Sequence, residues 1–213
     1  MPAYEVMQNA IIDGNGDIAL ALTNAALAEG AAAREILDNG LLPGMDEVGR
    51  RMKAGDCFIP EVLLSARTMQ ACLDILKPHL AAGESSSLGT IVIGTVEGDV
   101  HDIGKNLVGM LLEGAGFEVH NLGTGITAAG FVEAVKAHDA DIVGMSALLT
   151  TTMPRMKDTI GALAAAGLRD KVKVIVGGAP ITEQYTAEIG ADGMGANAVL
   201  AVDMAKELMA ARV

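Results

Sequence analysis

The chain has 213 residues, 51% of them hydrophobic and 20% charged, with a formal net charge of −12. That much apolar material builds one large domain or two small ones and argues against disorder, while the acidic balance, without a run of Lys and Arg among aromatics, opposes nucleic-acid binding. No apolar run reaches the roughly 18 residues of a membrane span, and the start MPAYEVMQNAIIDG has no basic segment before a long apolar one; no membrane partner and a cytoplasmic location are expected.

Through residue 81 the pattern is helical. Segments 4–12, 17–29 and 33–52 carry helical periodicity and are parted by breaks at Gly14 to Gly16, Gly30 and Gly55. Next, Val62, Ala66, Met69, Leu73 and Leu76 recur in steps of four and three, one apolar stripe along a helix that Pro60 can open. Such a stripe must face other helices, so residues 1–81 are expected to form a small helical bundle. With aromatics at 2%, its core must use small and flexible side chains. Cys57 and Cys72 lack CxxC spacing, and both are expected in helical surroundings as buried thiols.

The small, polar stretch AAGESSSLG ends this region, with a linker expected over 82–89. From Thr90 to the end of the chain, β-branched runs alternate with helical patterns: TIVIGTV, FEVHNLG, DIVGMS, KVKVIVGG and a short ADGMG, with helices near 103–115, 127–138, 154–166 and 181–189 and one more at the end. This alternation predicts an α/β domain over 90–213, a flavodoxin-like (Rossmann-like), doubly wound parallel sheet. Ligands of such sheets bind beyond the carboxyl ends of the strands, which directs attention to loops 96–104, 146–153 and 177–180.

In the first loop, EGDVHDIGKN, Asp99, His101 and Gly104 spell D-x-H-x-x-G between a strand and a helix. A carboxylate two residues from an imidazole can accept the ring's second N–H, fix its tautomer and raise its basicity, as happens behind metal-bound histidines. Taken alone, the motif favours the plainer reading of a helix-capping Asp99 beside a solvated His101. The second loop places Ser146, Leu148, Thr150 and Thr152 beyond the third strand, and the third places Gly177 and Gly178 beyond the fourth. Individually these are ordinary turn formers.

Together, D-x-H-x-x-G, S-x-L and GG, in this order and each at a strand end, resemble the signature of the cobalamin-binding domain shared by methionine synthase, the base-off mutases and the corrinoid methyl carriers. The resemblance runs from about residue 88 to 213. It implies a bound cobalamin, methylcobalamin or a related corrinoid, that has discarded its own benzimidazole ligand. His101 would take that place on cobalt, within a contact stretch of Asp99, Val100, His101, Asp102, Ile103 and Gly104. The displaced nucleotide tail would enter a slot against the bare backbone of Gly177 and Gly178, where Ser146 bonds its base. Leu148 and Thr150 would adjoin the corrin, and Thr152 would complete a His–Asp–hydroxyl relay, with threonine in place of methionine synthase's serine.

The N-terminal stretch GMDEVGRRMKAGDCFIPEVLLSARTM is similar to the helical cap of methionine synthase and of small corrinoid carriers. That likeness maps Met52, Phe58 and Ile59 onto residues shielding the methyl-bearing face, with methionine replacing the usual phenylalanine at 52. Simple core packing of Met52 and Ile59 accounts for them as well. The resemblance points to a corrinoid methyl carrier for one-carbon metabolism, not catalytic alone. It would work between a substrate-specific methyltransferase and an acceptor methyltransferase using coenzyme M or tetrahydrofolate, with a reductive activation protein as a further partner. A B12-dependent sensor module or the small subunit of an adenosylcobalamin-dependent mutase would share the three loops. The former normally adds a DNA-binding domain and the latter lacks the cap.

Overall fold

Glycine sets the helix breaks of the N-terminal region, as the apolar period requires. The computed structural model describes residues 3–79 and 87–211. Helix α1 (Tyr4–Ile12) stops ahead of Gly14, which has a φ of +63° and leaves no room for a Cβ beside Leu64. Asn15 then accepts a hydrogen bond from the Ile18 amide and starts α2 (Gly16–Ala28). The single helix expected over 33–52 is α3 (Ala33–Ile36), a π-helical turn (Leu37–Leu41) and α4 (Leu42–Ala54) in direct succession. A Cβ on Gly40 would come within 2.4 Å of Met7 Sδ, and one on Gly44 within 2.8 Å of Ile11 Cβ, so glycine is what lets this segment lie against α1. Gly55 closes α4 in the left-handed region, and α5 (Ile59–Leu76) follows. Its stripe of Val62, Ala66, Met69, Leu73 and Leu76 is buried, as its spacing predicts. Cys72 is buried in α5, but Cys57 lies half-buried in the loop between α4 and α5 and not in a helix, because Gly55 ends α4 before it.

Contacts divide the chain into two compact units, Met1–Ser86 with Glu113–Gly116, and Ser87–Leu112 with Phe117–Val213. Most of the expected linker, residues 82–86, and the end of the expected bundle, 80–81, lie outside the described residues.

The second unit is a parallel five-stranded sheet in the order β2-β1-β3-β4-β5: β1 (Thr90–Thr95), β2 (Glu118–Asn121), β3 (Ile142–Ser146), β4 (Lys173–Gly177) and β5 (Gly193–Gly195). The helices between and after them are α6 (Ile103–Gly114), α7 (Ala128–His138), α8 (Pro154–Ala165), α9 (Glu183–Ile189) and α10 (Ala198–Ala210). The runs IVI in β1, IV in β3 and VIV in β4 are buried throughout, as both faces of a parallel sheet demand. This is the flavodoxin order, whose switch point lies between β1 and β3. Register brings the three motifs together there: Thr95 pairs with Ser146, Ser146 with Gly177, and Gly177 with Gly195, so one rung crosses the carboxyl ends of four strands.

Candidate functional site

Asp99 is the hub of the first two loops. Its side chain is fully buried, with a relative exposure of 0%. Oδ1 accepts the His101 amide at 3.0 Å and faces His101 Nδ1 at 2.7 Å. Oδ2 accepts the amides of Leu148 at 2.8 Å and Leu149 at 3.3 Å, and lies 2.8 Å from the Thr152 hydroxyl. That hydroxyl is also 2.9 Å from the Leu149 carbonyl, so its single proton is shared between two acceptors. Burial alone would raise the Asp99 pKa, but the amides of His101 and Leu148, the His101 ring and the Thr152 hydroxyl together outweigh it and hold the carboxyl well below the usual range. Asp99 is therefore a standing anion, placed to accept a proton from His101 Nδ1. It does not simply cap α6, because it reaches to a loop about fifty residues away.

The His101 turn is held from other sides too. Buried Thr95 donates its hydroxyl to the His101 carbonyl at 2.9 Å, and the Gly125 amide donates to the Asp99 carbonyl at 3.1 Å. On either side of His101, Val100 is 76% exposed and Ile103 87% exposed. Two exposed apolar side chains thus lie on either side of the imidazole in the turn.

Behind this turn a cavity of about 540 Å³ opens between the sheet, α6 and α10. His101, Asp102, Ile103, Gly104, Ser146, Leu148, Gly177 and Gly178 all line it; Asp99, Val100, Thr150 and Thr152 do not. Thr150 is exposed, whereas Thr152 is buried against Asp99. Of the paired glycines, Gly178 is required by the fold and Gly177 is closely packed. A Cβ on Gly178, which has a φ of +131°, would sit 1.9 Å from the Ala147 carbonyl oxygen, and one on Gly177 would sit 3.2 Å from that of Gly195. Gly104 differs, since it has no left-handed φ and an added Cβ would meet no atom within 4 Å. The protein itself makes no demand for glycine there, and the space beside it is open.

Sequence reasoning missed part of the lining, namely Met194, Gly195 and Asn197 at the β5–α10 junction, as well as Lys105. The short ADGMG run gives little warning that its strand carries a cavity wall. In the first unit Met52 is half-buried on α4, while Phe58 and Ile59 are exposed where α5 begins, so Ile59 is not a core residue.

Among the described residues no group of three or more His, Cys, Asp or Glu side chains is arranged to hold a metal ion. A single imidazole donor suits a metal whose remaining ligands come from a macrocycle. The donor set, the apolar flanks and the glycine-walled slot all fit a base-off corrinoid: one imidazole for its metal, a surface for its ring and a recess for its tail.

Fold and site thus define a cobalamin-binding α/β protein. The B12 binding domain family matches residues 89–203, and a second family of the same description matches residues 3–77; the chain belongs to the B12-binding corrinoid proteins, and its cofactor is a cobalamin or related corrinoid. It is 47% identical over 214 residues to a dimethylamine corrinoid protein of Methanosarcina barkeri, covering 99% of this chain and 100% of that one. Identity to a corrinoid protein of Desulfitobacterium hafniense (strain Y51) is 43% over 212 residues, 98% of each chain. Among solved structures, the methanol:cobalamin methyltransferase complex of Methanosarcina barkeri contains a chain that superposes with a TM-score of 0.86 at 31% identity, over 96% of this chain and 78% of that one. A cobalamin-binding protein of Desulfitobacterium hafniense DCB-2 superposes with a TM-score of 0.80 at 34% identity, over 98% and 99%.

Proposed function

We propose that the protein carries a methyl group between a substrate-specific methyltransferase and an acceptor methyltransferase that uses coenzyme M or tetrahydrofolate. The observation that carries this reading is the His101 imidazole, tied through Nδ1 to a buried anion and lining the cavity. The bound corrinoid supplies the chemistry, accepting a methyl group on cobalt and giving it up again. The chain's residues supply the setting. His101 Nε2 would hold the cobalt, with Asp99 fixing its tautomer and strengthening its donation. Thr152 and the amides of Leu148 and Leu149 keep Asp99 charged, and Ser146, Gly177 and Gly178 bound the recess for the nucleotide tail. Met52 and Ile59 are proposed to contact the ring, a reading supported by the cap resemblance and by the exposure of Ile59. Names of the relatives support a methylamine-type donor, and a reductive activation protein is the natural partner for recovering oxidised cobalt.

The test is a two-stage assay with purified holo-protein. With a donor methyltransferase and its methylated substrate, the visible spectrum should report about one methyl group taken up per corrinoid, lost only when an acceptor enzyme is supplied. A holo-protein that never acquires a methyl group from any methylamine, methanol or methoxyaromatic methyltransferase, but changes its assembly with light, would replace this reading with that of a sensor.

A further inference from the structure

Directly after the motif glycine, Lys105 is only 3% exposed, although burial disfavours an ammonium and lowers its pKa. Its Nζ donates to Asn106 Oδ1 and to Asn121 Oδ1, both at 2.6 Å. The two amides are themselves joined, Asn121 Nδ2 donating to Asn106 Oδ1 at 2.9 Å, while Asn106 Nδ2 donates to Asp102 Oδ2 at 3.0 Å. Asn121 Oδ1 also accepts the Gly123 amide at 3.1 Å. One ammonium therefore fastens the first turn of α6 to the end of the edge strand β2. The loop that follows β2 grips the other end of the His101 turn, through the Gly125 amide on the Asp99 carbonyl. His101 thus stands between two anchors, and both run to residues 121–125.

A buried charge is seldom the cheapest way to gain stability, since an apolar side chain of similar volume often serves as well. What an ammonium adds is direction: its acceptors must lie where its protons point. We propose that Lys105 is a positioning residue, whose buried ammonium locks the entry of α6 to the end of β2 and so holds the His101 turn in the conformation that presents its ring. The proposal rests on the reading of His101 as the lower ligand. Lys105 touches neither His101 nor Asp99 in this scheme and acts through the backbone between them.

The experiment compares wild type, Lys105→Met, Lys105→Arg and Asn121→Leu, each reconstituted with cobalamin. The readout is electron paramagnetic resonance of the Co(II) form with nitrogen-15 histidine, on samples prepared well below each protein's melting temperature. Lys105→Met and Asn121→Leu should still take up corrinoid, because the recess walls at Ser146, Gly177 and Gly178 keep their residues. The ratio of histidine-coordinated to uncoordinated cobalt should fall about tenfold, within the range for outer partners of a metal ligand. Lys105→Arg should recover part of it. A Lys105→Met protein with a lower Tm but unchanged histidine coupling would show that Lys105 serves stability alone and would overturn the proposal. If Lys105→Met does not fold, Asn121→Leu decides by the same criterion. Absence of histidine coupling in the wild type sinks the lower-ligand reading and this one with it, whereas intact wild-type coupling that no variant alters refutes this one alone.

Discussion

At the residue scale, the pairing of His101 with Asp99 makes separable predictions. His101→Ala should still bind cobalamin, since the recess lined by Ser146, Gly177 and Gly178 is unchanged, but its Co(II) spectrum should lack the axial histidine nitrogen. Coupling to a benzimidazole nitrogen in the wild type would contradict the base-off assignment. Asp99→Asn keeps the shape and loses the charge, so histidine coordination should weaken by about 10–100-fold, and the Co(II)/Co(I) potential should shift with it. An unchanged potential would show that the carboxylate has no say in the metal's electronics. The same group shapes the apoprotein's response to acid. Its folded pKa is depressed, so its contribution to stability is complete above the unfolded value of about 4 and declines as pH falls below that towards the folded one. Urea midpoints measured from pH 6 to pH 2 should fall more steeply for wild type than for Asp99→Asn.

At the scale of elements, the glycines of the site divide by what demands them. Gly178→Ala places a Cβ 1.9 Å from the Ala147 carbonyl, so the β3–β4 rung must distort and the apoprotein should lose both stability and corrinoid binding. Gly104→Ala meets no protein atom within 4 Å and improves helix propensity by up to about 1 kcal/mol. Calorimetry should find the Gly104→Ala apoprotein as stable as wild type or slightly more so, while titration finds weaker cobalamin binding. Equal affinity would mean the ligand does not approach that residue. This division was not legible in the sequence, where Gly104, Gly177 and Gly178 read alike as motif letters. The elements themselves were, because β-branched runs and the α5 stripe at Val62, Ala66 and Met69 carry their period openly. The π-helical turn at Leu37–Leu41 was not, since it arises from packing at Gly40 and Gly44 and not from periodicity.

At the scale of the whole molecule, His101, Asp99 and Thr152 were recognisable because a local motif names the first two and a neighbouring strand end supplies the third. Lys105 and Asn121 were not, because their meaning lies in a contact between α6 and β2 that no local spacing announces. A cofactor that binds only the folded state should stabilise it as a unit. Cobalamin at about 100 times its Kd should add about 2.7 kcal/mol, read as a concentration-dependent rise in Tm, and a Tm indifferent to cobalamin would deny the site its ligand. The hydrogen bonds that hold Asp99 also bear on how the chain finds its fold. Its donors at Leu148, Leu149 and Thr152 arrive only when β1 and β3 are paired so that Thr95 stands opposite Ser146. A slip of one residue would leave the buried Oδ2 of Asp99 without its donors, at a cost of about 1–3 kcal/mol or more. The group that aims the histidine thus also proofreads the sheet, penalising misregistered chains before any corrinoid arrives.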